Sequence, residues 1–374
     1  MLKPAMGIAA ALALCAVCAG TAIAAPAVKI GAIEDLTGPT AKYGTAIRNG
    51  FDLADAEINA KGGVLHGAKL ELDYKDAAGQ KGQAINAAHE LIGSDHVVAI
   101  LGPTLSNEMF AVGPVANERQ IPIIGTSTTA TGITAIGDWV FRTSLPESDV
   151  VPVTIREAAA KYHIKTVALM YSNDDAFTKS GFDVFKASLE QQGIKIATIE
   201  TFSTKDTDFS AQLTKIKGLH VDAICISALA EAGAGVILQA RQLGIPVPII
   251  GGNGFNSPKI AQIAGKAAEG VIVGSPWFIG KTSAANQAFV ADYRKKYNQD
   301  PDQFAAQAYD TLFILAAAID RAGGTNNNKL HAALLKTSYD GVMGPFSFTP
   351  DRNPATTKGV VVLAVKNGEF AILK

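Results

Sequence analysis

Cysteine is scarce in this sequence: there are three, and Cys15 and Cys18 fall inside one N-terminal apolar run. Cys225 stands alone in "VDAICISALA", so no disulfide can organise the rest of the chain. A lone Cys in an apolar run reads as a small buried hydrophobe. Charge of one sign is missing too. Lys and Arg number 33 against 34 Asp and Glu, and no basic block is present to grip nucleic acid or an anionic membrane. The chain also lacks the G-x-S-x-G elbow, H-E-x-x-H, G-x-x-x-x-G-K-[ST], and a G-x-G-x-x-G after a strand. Its six histidines (His66, His89, His96, His163, His220 and His331) are scattered. The adjacent Asp174 and Asp175 stand beside Ser and Asn, a pattern that opens helices more often than it pairs catalytic acids. No enzyme activity, metal or cofactor is expected.

Beyond the first two dozen residues there is no apolar run of the ~20 residues that a membrane span requires. Lys3 is the only charge before "MGIAAALALCAVCAG", and "TAIAAPA" follows with Ala22 and Ala24 at small-x-small spacing. This reads as a secretory signal, residues 1–24, cleaved after Ala24. The apolar part is too short for an anchor, and Leu14 and Val17 are too bulky for lipid attachment at Cys15 or Cys18. The mature protein is expected to be exported, periplasmic and not membrane-inserted.

What is present suits a compact protein: 374 residues, 48% hydrophobic and 18% charged, with 36 Gly. That length favours two domains over one core. Apolar runs of four to six residues alternate with amphipathic helical stretches, which implies parallel βαβ units. "VKIGAI", "KLELDY", "VVAIL" and "IPIIG" form a first set. "TVALMY", "KIATIE", "DAICIS", "VPIIGG" and "GVIVG" form a second of similar rhythm. Two helical stretches (Asn286–Tyr297 and Gln303–Arg321) and a shorter one near Lys329–Lys336 follow. "GPFSF", "GVVVLAV" and "EFAIL" then give strands too few for a core of their own, so they should rejoin the earlier sheets.

In open α/β sheets ligands sit beyond the carboxyl ends of strands. Those positions here hold "EDLTGPTAKYG", "GPTLSNE", "GTSTTATG", "YSNDDAFTKSG", "SALAEAG" and "GGNGFNS". Both sets contribute hydroxyls, amides and aromatics, the inventory of a small-molecule cleft between two lobes. The row Thr126, Ser127, Thr128 and Thr129 is either a polar turn or a cradle for a small anion.

The segments "IGAIEDLTGPTAKYG", "AEINAKGGVLHGAKLELDYKDAAGQ", "ILGPTLSN", "IPIIGTSTT" and "DFSAQLTKIK…DAI" resemble the exported solute-binding proteins of branched-chain amino acid ABC importers. The resemblance runs in order along nearly all of the chain after the signal. It implies an α/β type I periplasmic binding fold: two Rossmann-like lobes with parallel-rich sheets, joined by three hinge crossovers and closing on a ligand. The lobes are expected at residues 28–142 plus 275–345, and 143–274 plus 346–374. The crossovers are "RTSLPES", "GSPWF" and "MGPFSF". Partners would be a small carboxylate ligand and an ABC permease with its ATPase, with the receptor a monomer. A ligand-sensing module of a signalling system is the alternative.

Carried onto this sequence, the resemblance assigns the ligand carboxylate to Ser106 and to the stretch Ser127, Thr128 and Thr129, with Tyr43 from the first loop. In the second lobe it assigns Phe177 and Asn253. Leu105, Leu229 and Phe255 lie on the same loops, and Trp277 on a crossover, where it either reaches the cleft mouth or packs in a core. Relatives that bind amino acids usually place an acid at the position of Asn253, to pair with the ligand's ammonium, and an amide supplies only a dipole. Glu231 or Glu108 could replace it, or each is a solvated helix residue. This departure points away from an amino acid and toward an aromatic or other organic acid.

Overall fold

The computed structural model describes residues 26–355 and 359–374. The expected signal, residues 1–24, lies outside the described residues. Short Val- and Ile-rich runs become strands here because helices cover both faces of each sheet, so every side chain of a central strand can be apolar. The first set runs β1 (Val28–Glu34), α1 (Ala41–Ala60), β2 (Leu70–Asp76), α2 (Lys81–Gly93), β3 (Ile100–Leu101), α3 (Ser106–Glu118), β4 (Ile123–Gly125) and β5 (Val140–Arg142). Its five strands lie in the order β2-β1-β3-β4-β5, all parallel.

The second set runs α4 (Glu147–Tyr162), β6 (Thr166–Ser172), α5 (Ala176–Gln191), β7 (Lys195–Phe202), α6 (Ser210–Gly218), β8 (Ala223–Ser227), α7 (Ala230–Gln242), β9 (Ile249–Gly251), α8 (Lys259–Ala264) and β10 (Ile272–Ser275). The chain continues through α9 (Ala284–Tyr297), α10 (Gln303–Ala322), α11 (Asn327–Leu335), β11 (Tyr339–Asp340), β12 (Pro345–Phe346), β13 (Val361–Lys366) and β14 (Glu369–Ile372). The second sheet has seven strands in the order β14-β13-β10-β9-β8-β6-β7. Strands β6 to β10 are parallel, and β13 and β14 add antiparallel at the edge. This is the α/β fold with two parallel-rich sheets that the sequence pattern implied.

Two details differ from the reading of the sequence. A fifth strand, β5, extends the first sheet beyond "IPIIG"; it is three residues ending in Arg142, too short to show an apolar run. The "GPFSF" stretch joins neither large sheet; its Pro345 and Phe346 pair only with Asp340 and Tyr339.

Helix α10 carries the return of the chain onto the first sheet, and α1 packs along it. Asp302 caps α10 by accepting from the Ala305 N–H at 3.0 Å, and Gly323 ends it at φ +65°, where a side chain would be strained. Gly50 of α1 lets the two helices meet closely. A Cβ added there would stand 2.2 Å from the Ala305 carbonyl oxygen, a backbone atom that cannot rotate away. Gly50→Ala should therefore force α1 from α10 and destabilise the protein by about 1–3 kcal/mol, read as a lower midpoint in chemical denaturation. An unchanged midpoint would show that this contact yields freely.

Candidate ligand-binding site

Each sheet has one place where consecutive connections leave in opposite directions. In the first it lies between β1 and β3, and in the second between β6 and β8. Loops part at such switch points and leave a crevice. A small cavity lies among the loops that leave β3, β4, β8 and β9. On the first-lobe side it is lined by Tyr43, Thr104, Leu105, Ser106 and Ser127, with Phe304 from α10. Phe177, Leu229, Asn253 and Gly254 line the other side.

Seven of the residues singled out in the sequence thus meet at one cavity: Tyr43, Leu105, Ser106, Ser127, Phe177, Leu229 and Asn253. Thr129, on the same loop as Ser127, does not line the cavity; it is buried, and its hydroxyl, like that of Thr128, has no hydrogen-bond partner among the described residues. Five other expectations are corrected. The Thr128 hydroxyl folds back against Gly125, where an added Cβ would meet it at 2.0 Å, so it does not line the cavity. Phe255 is fully buried with its ring against Gly251 and Gly233, a core residue of the second lobe. Trp277 is buried, and its indole N–H donates to Asn286 Oδ1 at 2.7 Å, bordering a different cavity of about 780 Å³. Glu231 is exposed at the mouth and pairs with Lys259. Glu108 does not face the cavity either; it turns back to accept from the Leu105 N–H at 3.1 Å.

Sequence reasoning missed Thr104, Gly254 and Phe304. Thr104 and Gly254 sit on loops already singled out. Phe304 had no such signal, since it is one apolar residue of an amphipathic helix distant in sequence. Its ring meets Tyr43 edge-on, with centroids 4.9 Å apart.

The first-lobe side offers donors. Helix α3 starts at Ser106, and the N–H groups of a first helical turn have no carbonyl within the helix, so they and the helix dipole favour an anion. The Ser106 hydroxyl holds the hydroxyl-rich loop by accepting from the Ala130 N–H at 3.3 Å, and Ser127 Oγ donates to the Thr104 carbonyl at 2.6 Å. Beneath that loop is Arg142, only 4% exposed, whose Nη1 donates to the carbonyls of Thr128 at 3.3 Å and Ala130 at 2.8 Å. Arg142 makes no direct ion pair among the described residues, although Asp149 acts on it at longer range, and its field favours an anion nearby.

Behind the same loops lie three fully buried carboxyl groups, Glu34, Asp35 and Glu108. Thr104 Oγ1 donates to Glu34 Oε2 and accepts from the Asp35 N–H at 2.9 Å. Asp35 is held by the Gly79 N–H at 2.7 Å and the Thr40 hydroxyl at 2.6 Å. Burial, reinforced by neighbouring Asp35, pushes the Glu108 carboxyl up to about 10, and burial likewise raises Glu34 well above its usual value. Glu108 is therefore neutral near pH 7, and burial favours the neutral form of Glu34 as well, which lessens the negative charge that an anion meets.

The lobes touch across the cleft. The Tyr43 hydroxyl donates to the Gly254 carbonyl and accepts from the Ala230 N–H, each at 2.8 Å. Asn107 bridges to Asp175 and to the Ala176 N–H, the latter at 2.8 Å, and the Thr131 N–H donates to Ser180 Oγ at 2.8 Å. The structure is a closed form. Asn253 is tied inward, with its side-chain oxygen 2.9 Å from Gln303 Nε2 and its N–H donating to Glu147 Oε1 at 2.7 Å.

The periplasmic binding protein family matches residues 27–369 of the chain. The chain belongs to this family. It is 31% identical over 310 residues to the Leu/Ile/Val-binding protein BraC3 of Rhizobium johnstonii, covering 83% of both chains. Among solved structures it is similar to LivJ, the branched-chain amino acid transporter substrate-binding protein of Streptococcus pneumoniae, in complex with isoleucine. The TM-score is 0.87 at 33% identity, over 92% of this chain and 97% of that one. A solute-binding protein of an ABC transporter from Rhodopseudomonas palustris, in complex with 3,4-dihydroxybenzoic acid, matches with a TM-score of 0.83 at 26% identity, over 92% and 95%. This is a family of ABC-importer solute-binding proteins, not of enzymes. In keeping with it, no helix among the described residues is long and apolar enough to cross a membrane.

Both hydrogen-bonding roles of the Tyr43 hydroxyl are spent on the opposite lobe, so Tyr43→Phe should weaken closure rather than ligand chemistry. We expect similar fold-losses of affinity, about five- to thirty-fold, for every ligand the protein takes, since two bonds of about 0.5–1 kcal/mol each are removed. Calorimetry on two unrelated ligands checks this, and a loss confined to one of them would make Tyr43 a ligand contact instead.

Proposed function

We propose that this protein is an exported receptor that closes on a small carboxylate and delivers it to an ABC permease driven by its ATPase. The observation that carries the reading is the asymmetry of the cavity. One side gathers Ser106, the α3 N-terminus and the Thr129 loop above Arg142, all suited to an anion, while the other ends in the amide of Asn253. No carboxylate side chain lines it among the described residues. An ammonium withdrawn from water there would find no direct counter-charge. The natural ligand is therefore read as an organic acid, aromatic in keeping with Phe177 and Phe304, and the Rhodopseudomonas relative with 3,4-dihydroxybenzoic acid is consistent with that. The second reading is a branched-chain amino acid, which the names of the Rhizobium and Streptococcus relatives favour. A signalling sensor has no observation behind it.

Residues 28–142 with 275–345, and 143–274 with 346–374, make the two lobes in this reading, and the receptor acts as a monomer. The crossovers would bend together: the Arg142 N–H donates to the Arg352 carbonyl at 3.2 Å, and Ser275 pairs with Val361. Phe348 still meets Phe141 edge-on, with ring centroids 5.2 Å apart, and Asn353 still accepts from Arg142 at 2.6 Å, which favours a third crossover nearer residue 355 than 345.

Ligand at one hundred times its Kd should stabilise the protein by about 2.7 kcal/mol, enough for a thermal-shift screen across amino acids, aromatic acids and short organic acids. Ser106→Ala should cost the best carboxylate about 1.5–3 kcal/mol, roughly ten- to hundred-fold in affinity. Asn253→Glu should weaken an organic acid, because it adds a buried anion without a partner, and should improve leucine relative to that acid. Tight leucine binding by the wild type, lost in Asn253→Glu, would make the protein an amino acid receptor instead.

A further inference from the structure

Glu147 opens α4 immediately after the chain leaves the first sheet, and it is 1% exposed. Its N–H donates to the Thr129 carbonyl at 3.3 Å, on the loop assigned to the ligand carboxylate. Its Oε1 accepts from the Asn253 N–H at 2.7 Å, on the opposite wall of the cavity. One residue thus touches both halves of the site without lining it. Its second oxygen, Oε2, has no hydrogen-bond partner among the described residues, and neither has the buried Ser227 hydroxyl. Both atoms crowd Gly181, where a Cβ would lie 2.3 Å from Glu147 Oε2 and 2.2 Å from Ser227 Oγ.

The surroundings of Glu147 hold no cation paired with it. From α5, Asp175 faces it and disfavours its charge, while Lys179, Asp183 and Lys186 of that helix are exposed. The ends of β8, β9 and β10 and the Thr126–Thr131 loop present no charged side chain. On its own helix, Asp149 interacts with Arg142 of β5, which is committed to backbone carbonyls and Asn353.

We propose that Glu147 is a specificity-determining residue whose charge state sets whether the second-lobe end of the cavity favours an anionic or a zwitterionic ligand. This rests on the carboxylate-receptor reading above. With Glu147 neutral, the far wall holds only the Asn253 amide, and a monoanion bound by Ser106 and the Thr129 loop meets no opposing charge. With Glu147 ionised, a carboxylate one residue behind Asn253 repels that anion and attracts an ammonium pointing the same way. Asn253 and Glu147 then act together: the amide removes the permanent counter-charge from the wall, and the acid behind it supplies one that protons can switch.

The switch falls in a usable range. Burial, only partly offset by the Asn253 N–H, pushes the Glu147 carboxyl up to about 7. An acid raised in the folded state is neutral and costs nothing at low pH, and stability is lost as pH climbs from the usual carboxylate value through the folded one. Binding an anion raises the Glu147 value further and takes up a proton, and each unit of that rise is ten-fold in affinity.

The test uses the full-length exported protein, wild type and Glu147→Gln, with 3,4-dihydroxybenzoate and leucine as probes at pH 5.5 and pH 8. Wild-type affinity for 3,4-dihydroxybenzoate should fall about five- to ten-fold at the higher pH. Any affinity for leucine should hold or rise. In Glu147→Gln the acid's affinity should stay near its low-pH value at both pH values. Without ligand, the melting temperature of the variant should gain on the wild type as pH rises. If the variant does not fold, calorimetry of the wild type near pH 7 in two buffers of different ionisation enthalpy should still show proton uptake with the acid. Binding with the same pH dependence in both proteins, or no proton uptake, would overturn this role for Glu147 and leave the carboxylate reading standing. Failure of both probes to bind at either pH would sink that reading and this inference with it.

Discussion

The Tyr43 hydroxyl is the contact around which the closed form is arranged. It reaches from α1 of the first lobe to two backbone groups of the second, the Gly254 carbonyl and the Ala230 N–H. Those groups lie on the loops after β9 and β8, so one side chain fixes two of the second-lobe connections that border the cavity. The phenol can do this because its ring is buried edge-on against Phe304, and burial pushes its ionisation far above the usual range, which keeps it a donor. Asn107 and Thr131 add further polar contacts across the cleft, each worth about 1 kcal/mol net in water. Such a set is weak enough for a ligand to tip and specific enough to define one closed geometry.

On the proposed reading, anion recognition in this cavity depends on what is kept neutral as much as on what is charged. Glu34, Asp35 and Glu108 stand behind the loops that offer donors, and three ionised carboxylates there would repel an anion. Burial works against that by pushing the Glu108 carboxyl up to about 10 and raising Glu34 above its usual value. Neutral Glu108 can still accept the Leu105 N–H, so it shapes the start of α3 without adding charge. Arg142 works from the other side. Its guanidinium fixes the carbonyls of Thr128 and Ala130, which holds the loop's shape and leaves a positive field beneath it.

Most of the fold was legible in the sequence because buried parallel strands with helical crossovers leave a strong apolar rhythm. The elements that escaped were short or unusual in composition. Strand β5 is three residues between Trp139 and Thr143, too brief to show a run, and β12 is two residues whose only partner is β11. The site was legible as a set of loops but not as a set of side-chain directions. Thr128 and Thr129 are neighbours with the same chemistry, yet one hydroxyl turns back on Gly125, and no sequence pattern separates them. Phe255 lay on the right loop and faced the core. Phe304 lay on the wrong stretch of chain and reached the cavity through the packing of α10 on α1, a tertiary fact without a local signal.

The division of labour between the lobes explains how one fold accommodates isoleucine in one relative and a dihydroxybenzoic acid in another. Both ligands carry a carboxylate. On the proposed reading, the first lobe of this chain meets such a carboxylate with a helix N-terminus and hydroxyls, which are indifferent to what lies beyond. Selectivity then falls to the wall after β9, where side chains can change without disturbing the anion cradle. In this chain that wall is an amide whose carbonyl side is tied to Gln303 and whose backbone is tied to Glu147. Replacing Asn253 alone would leave Glu147 in place, and an acid at both positions would put two carboxylates within one residue of each other. Like charges so close cannot both ionise, so a chain that moves its acid onto the cavity wall should also have to neutralise the acid behind it. Positions 147 and 253 are therefore one electrostatic unit, and neither can be read for ligand class without the other.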